Sequence, residues 1–120
     1  MKHLPEIHMR VIPHKEQRYD TCGDYYLMDG MQFWISKMNE DAEFLVFLHE
    51  LVEWYLCHKR GVKIKDIDKF DLNFKGKGEP GNAKGCPYGR EHRFATRVEK
   101  AICKELGLDW DKYDKMVTSL

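Results

Sequence analysis

Apolar and polar side chains alternate near the N-terminus in the pattern of β-strands. Apolar residues occupy every second position of residues 7–11, which predicts a strand with one buried face. Two further β-prone runs, residues 25–28 and 31–35, flank the dipeptide Asp29-Gly30, and such a short link favours a tight hairpin. The chain is therefore predicted to begin with three short strands, the second and third forming a hairpin.

A helical period replaces this alternation after residue 39. Asn39 is a suitable N-cap, acidic side chains crowd the turn that follows it, and Gly61 is a typical stop. These signals predict a long helix from about residue 40 to Arg60. Apolar residues spaced over positions 64–70 then predict one short helical turn.

The last third of the chain combines a long loop with two helices. Residues 75–89 contain five glycines and two prolines, which predicts a loop. A helix is predicted from about Tyr88 to Leu106, and Asp109 is placed to cap a final helix. We therefore predict one α+β domain over residues 1–120, in which a small, mainly antiparallel sheet of about three strands packs on a long central helix, with two further C-terminal helices.

Composition narrows the classes of partner. The 120 residues include 20 Lys plus Arg and 20 Asp plus Glu, so no global field favours duplex nucleic acid or a membrane surface. The longest apolar run, residues 44–48, cannot span a bilayer, and the N-terminus lacks the apolar region of a secretory signal. The four cysteines form no CxxC pair. A cytoplasmic protein is expected, and the oligomeric state is left open.

The central helix carries a polar arc that needs an explanation. Apolar side chains cover roughly two thirds of its circumference, which predicts that protein encloses most of it. The remaining arc holds His49, Glu50 and Glu53, and residues 40–58 contain no Lys or Arg. The arc can be a solvated face, or it can be a site in which a cation from elsewhere neutralises the glutamates.

A divalent metal fits the second interpretation. His49 and Glu53 are four residues apart on one helical face, and imidazole with carboxylate is an ordinary ligand pair for Zn²⁺. Glu50 points to the side of that pair, where it can accept a proton from metal-bound water. The segment His49-Glu50-Leu51-Val52-Glu53, preceded by a predicted strand, resembles the active helix of zincin metallopeptidases, whose signature is H-E-x-x-H. Here Glu53 stands in place of the second histidine, so peptidase activity does not follow from the resemblance.

A third ligand is expected from outside the central helix. His92 begins the helix that follows the glycine-rich loop and is the first candidate, since a catalytic metal needs at least three protein ligands and an open position. Glu99 lies two turns farther along and can be a ligand or an orienting group. Asp68 and Asp71, shortly after the central helix, are also candidates for the third ligand.

The glycine-rich loop favours a second function, the binding of a small anion. Lys84 and Arg90 lie among its glycines just before a helix N-terminus, which suits a phosphate or another small anion. The leading hypothesis is a metal-dependent hydrolase acting on a small-molecule or peptide substrate, with zinc as the metal, Glu50 as the base, and Lys84 and Arg90 holding the substrate. The second hypothesis is a non-catalytic nucleotide- or anion-binding module of the counter-defence type, since the sequence also resembles small phage or prophage proteins.

Overall fold

The fold is α+β, as predicted, and every predicted helix and strand is present. The computed structural model describes residues 3–120. Two 3₁₀ turns, His14–Glu16 and Pro80–Asn82, interrupt the connections. The strands and helices in chain order are β1 (Ile7–Ile12), β2 (Gly23–Leu27), β3 (Met31–Ser36), α1 (Glu40–Lys59), α2 (Ile64–Asn73), α3 (Gly89–Glu105) and α4 (Trp110–Thr118).

The sheet has the strand order β1-β3-β2 and is mixed. β2 and β3 form the predicted antiparallel hairpin, but three residues, 28–30, link the strands instead of the predicted two. Asp29 and Gly30 within this link have positive φ, 51° and 93°. β1 instead runs parallel to β3, with Ile7 paired to Met31. Only one of the two strand pairs is therefore antiparallel. Alternation shows which face of a strand is buried but carries no information on the direction of its neighbour.

Helix α1 packs across the inner face of the sheet and makes the main core. Phe33, in the middle of β3, is fully buried against the rings of Phe47 and Trp54, at centroid distances of 5.6 and 5.8 Å. Edge-to-face packing of this kind adds to the gain from burial. The substitution Phe33→Ala should cost about 3–5 kcal/mol of stability. The side chain of Asn39 accepts a hydrogen bond from the Ala42 amide, which confirms the predicted cap.

The C-terminal helices complete the domain around α1. α3 lies along α1, so that residues from the last third of the chain face the polar arc of the central helix. α4 packs on α3 and begins where predicted, since the Asp109 carboxylate accepts a hydrogen bond from the Lys112 amide at 2.9 Å. Within residues 3–120, no helix has both the length and the apolar character needed to cross a bilayer.

Candidate metal centre

Three predicted ligands converge in the interior between α1 and α3. Nε2 of His49 lies 3.3 Å from Oε1 of Glu53 and 3.2 Å from Nδ1 of His92, and the last two atoms are 2.9 Å apart. The three residues expose only 7%, 4% and 5% of their surfaces, so the solvated-face interpretation is wrong for His49 and Glu53. The cluster can hold a metal ion.

The size of this triangle matches the face of a metal coordination shell. Zn²⁺ binds nitrogen and carboxylate oxygen at about 2.0–2.2 Å, and tetrahedral angles then separate neighbouring donor atoms by about 3.3–3.6 Å. The observed separations of 3.3, 3.2 and 2.9 Å lie at the lower limit of that range or below it. Two protonated imidazoles could both donate to Oε1 of Glu53, but they would leave two N–H groups facing each other across the 3.2 Å edge between the ring nitrogens, which a shared metal ion would avoid.

The outer nitrogen of each imidazole faces a further carboxylate. Nδ1 of His49 is 2.8 Å from Oε1 of Glu99, so Nδ1 carries a proton there, and with a metal bound the Nε2 lone pair would point into the triangle. Nε2 of His92 is 3.2 Å from Oε2 of Glu79. That contact is within ion-pair distance but lacks hydrogen-bond alignment, and Nε2 of His92 has no hydrogen-bond partner among residues 3–120. Carboxylates behind ligating imidazoles are the usual means of fixing their tautomer.

Two tyrosines hold the carboxylates in place. The Tyr25 hydroxyl donates to Oε2 of Glu53 at 2.8 Å, which leaves Oε1 free to face the two imidazoles. The Tyr113 hydroxyl, from α4, donates to Oε2 of Glu99. The site is therefore tied into the sheet on one side and into the C-terminal helix on the other.

Electrostatics show that this cluster requires positive charge. Burial lowers the pKa of His49, but the carboxylates of Glu53 and Glu99 outweigh it and raise the pKa well above its ordinary value. Burial acts on His92 in the same way, and Glu53 with Glu79 raises its pKa to about 9. Burial favours protonation of Glu53, yet the two imidazoles bring its pKa down to about 2. A divalent cation can supply the charge that protons on the imidazoles otherwise provide.

Glu50 lies next to the cluster and lines the same cavity. Burial and then the charge of Glu53 raise the pKa of Glu50 well above its usual range, which is the environment expected of a general base. β2 shapes this position through Gly23, since a Cβ there would lie 2.9 Å from Cγ and Oε1 of Glu50. The glycine thus allows the carboxylate to pass close to the strand.

The glycine-rich loop contacts the cluster through residues that the sequence did not single out. A Cβ on Gly81 would lie 2.4 Å from Cγ and 2.5 Å from Nδ1 of His92, so only glycine lets the loop pack on this ring. Glu79 belongs to the same loop. By contrast, Lys84 and Arg90 are exposed and do not line the cavity. Their predicted role in substrate binding has no geometric support.

The remaining candidates for the third ligand are engaged elsewhere. The Asp68 carboxylate is bound by Arg18 at 2.9 Å. Asp71 accepts hydrogen bonds from the hydroxyls of Tyr19 and Tyr88, and burial raises its pKa to about 6. Glu99 lies behind His49, in the orienting position considered from the sequence. Of the four candidates, the structure thus brings His92 to the cluster.

A cavity of about 440 Å³ opens above the three candidate ligands. Its wall is formed by residues of β2, α1, α2, the glycine-rich loop, α3 and α4, together with the connection before β2. Pockets of this volume commonly accommodate small molecules or short peptide segments. The cluster is therefore accessible to a substrate.

Sequence reasoning missed Glu79, Tyr25 and Tyr113. Tyr25 and Tyr113 fit ordinary core positions of a strand and a helix, and their polar function depends on carboxylates 28 and 14 residues away in the chain. Glu79 lies in a loop whose basic residues indicated an anion site instead. One argument could have pointed to Glu79: a metal-binding imidazole usually has a carboxylate beside its outer nitrogen, and the sequence prediction named none for His92.

Comparison with known proteins adds no assignment. No protein-family model matches the chain, and no curated protein or solved structure shows significant similarity to it.

Proposed function

We propose that this protein is a zinc-dependent hydrolase whose metal is held by His49, Glu53 and His92. The supporting observation is the triangle of donor atoms 2.9–3.3 Å apart, in which each imidazole turns its other nitrogen toward a carboxylate. Three protein ligands beside an open cavity leave a coordination position for water, as catalytic zinc sites require.

The proposal assigns a different task to each carboxylate. Glu53 is the anionic ligand, Glu99 orients the imidazole of His49, and Glu79 faces the outer nitrogen of His92. Glu50 is placed to accept a proton from water in the cavity, and a zinc ion held by the three ligands would supply the positive charge that lowers the pKa of such a water to about 7. The reaction class is hydrolysis of an acyl or phosphoryl bond. Two nitrogens and one carboxylate oxygen favour zinc over magnesium or calcium, which prefer all-oxygen sites.

The proposed setting is the cytoplasm. All four cysteines lie in the described range and are free thiols, as a reducing compartment favours. The second hypothesis, a nucleotide- or anion-binding module, has less support. Its two basic residues, Lys84 and Arg90, lie outside the lining of the cavity that contains the cluster.

Two measurements test the proposal. Elemental analysis of protein loaded with zinc and desalted should give one zinc per chain, and His92→Gln should abolish that stoichiometry. Peptide, ester and phosphoester probes then identify the bond that the zinc protein hydrolyses. Glu50→Gln should retain the zinc and lose the turnover, while Glu43→Gln on the same helix should keep both. Absence of stoichiometric zinc, or undiminished turnover by Glu50→Gln, contradicts the proposal.

A further inference from the structure

Carboxylates dominate the wall of the cavity above the three candidate ligands. Eight Asp and Glu residues line it, whereas Lys100 is the one Lys or Arg that does so among residues 3–120. The whole chain carries equal numbers of acidic and basic residues. The negative character of the cavity therefore comes from where the fold places these side chains and not from composition.

A bound divalent ion does not neutralise this wall. Zinc, Lys100 and the Arg18 guanidinium that pairs with Asp24 together supply four positive charges. Burial raises the pKa of Glu50 and of Asp71, so these two of the eight carboxyl groups contribute less negative charge than the others. Glu79 and Asp114 are exposed and form no ion pair with a Lys or Arg among residues 3–120, so an excess of negative charge remains. Such an excess, in a concave surface with restricted access to water, repels anions and attracts cations.

The uncompensated carboxylates lie at the mouth of the cavity. Glu79 from the glycine-rich loop and Asp114 from α4 are both exposed and both line it, although they are 35 positions apart in the chain. Both therefore face the same cavity, and after burial the charges of Glu79 and Glu99 raise the pKa of Asp114. Two carboxylates that line one cavity mouth can attract a cation together.

A second feature indicates that a ligand enters here. His92 lines the cavity and is 5% exposed. Its Nε2 has no aligned hydrogen-bond partner among residues 3–120, because Oε2 of Glu79 lies 3.2 Å away without hydrogen-bond alignment. When Nδ1 binds the metal, Nε2 carries the proton and becomes a donor. A buried donor without an aligned acceptor is costly, so an oxygen from a ligand or water is expected beside it.

We infer that the substrate carries an ammonium or guanidinium group, which Glu79 and Asp114 bind at the cavity mouth while an oxygen of the same molecule approaches His92 and the metal. This inference rests on the proposed zinc site. It excludes nucleotides and other polyanions as substrates, because their phosphates would face the unpaired carboxylates. A basic side chain or a free amine next to an acyl group has the required chemistry.

Metal-binding hydroxamates of matched shape test the charge preference. The probes are the hydroxamates of Nα-acetyl-lysine, Nα-acetyl-norleucine and Nα-acetyl-glutamate, titrated calorimetrically into protein with verified zinc content. The lysine probe should bind about tenfold more tightly than the uncharged norleucine probe, and the glutamate probe should bind most weakly. Because surface charges are screened, the preference should shrink in high salt.

Matched variants on α4 locate the effect. Asp114→Asn should reduce the preference for the lysine probe at least about threefold, whereas Asp111→Asn, an equal charge change on an exposed residue outside the cavity, should leave it unchanged. Equal affinity of the three probes for zinc-loaded protein, or strongest binding of the glutamate probe, overturns the inference and leaves the zinc site standing. Failure to load zinc at all overturns the proposed function as well.

Discussion

The contact between Gly81 and His92 gives the sharpest mutational test of the metal site. In Gly81→Ala, the new Cβ would lie 2.4 Å from Cγ and 2.5 Å from Nδ1 of the imidazole, where ordinary contacts exceed 3.4 Å. The φ angle of Gly81 is outside the left-handed region, so the added methyl acts on the ring without straining the backbone. The loop and the imidazole must separate by about 1 Å.

A shift of that size removes His92 from its place in the donor triangle. Ligand distances tolerate only about 0.2 Å, so zinc affinity should fall about 10–100-fold. Overpacking should also cost about 1–3 kcal/mol of stability in the metal-free protein. At free zinc of about 1,000 times the wild-type dissociation constant, the metal stabilises wild type by about 4.1 kcal/mol, and a tenfold weaker variant by about 2.7 kcal/mol.

Competition with a fluorescent zinc chelator measures the affinity, and denaturant unfolding with and without zinc measures the stability. Gly85→Ala is the matched control. Its φ of 84° makes the substitution strained, but no heavy atom of residues 3–120 lies within 4 Å of the added Cβ, apart from those of its own neighbours in the chain. The control should therefore lose stability and keep its zinc affinity. Wild-type zinc affinity in Gly81→Ala would refute the assignment of His92 as a ligand.

Three further predictions follow from the same geometry. The pKa of His92 is raised from 6.5 to about 9, so the stability that its protonation contributes is complete below pH 6.5 and disappears as the pH rises through 9. Urea unfolding in EDTA should therefore show a loss of up to about 3 kcal/mol over this range. Chelator competition should show zinc affinity rising over the same range, because the metal binds the unprotonated imidazole. Tyr25→Phe removes the hydroxyl that holds the carboxylate ligand and should cost about 1–3 kcal/mol in denaturant unfolding, whereas the exposed Tyr55→Phe should cost little. The double variant Lys84→Ala, Arg90→Ala should retain full zinc binding and turnover, and a loss of turnover would revive the anion-binding hypothesis.

Local sequence signals were sufficient for the helices and strands but not for their arrangement. Caps and hydrophobic period predicted α1 and α4 closely, because these depend on neighbouring residues. The parallel pairing of β1 with β3 depends on the course of the chain between them. On α3 the large apolar Phe94 is 43% exposed, while His92 and Glu99 are buried. Hydrophobicity alone selects the wrong face there, since the buried polar groups are satisfied by partners on α1 and α4.

Two of the candidate ligands could also be predicted, because their signal lies in neighbouring residues of one helix. His49 and Glu53 are neighbours on one helix, and the absence of Lys and Arg from residues 40–58 indicated that positive charge had to come from elsewhere. The orienting groups could not be predicted in this way. Glu79 reaches the site from a loop, and Tyr113 acts through Glu99, so only the assembled fold brings them together.

X-ray absorption spectroscopy of the zinc-loaded protein tests the central claim most directly. The proposed site should give two imidazole nitrogens and one or two oxygens at about 2.0–2.2 Å, with the outer-shell scattering of two imidazole rings. Sulfur ligands at about 2.3 Å, or a shell of oxygens without imidazole, would show that the zinc binds elsewhere on the protein.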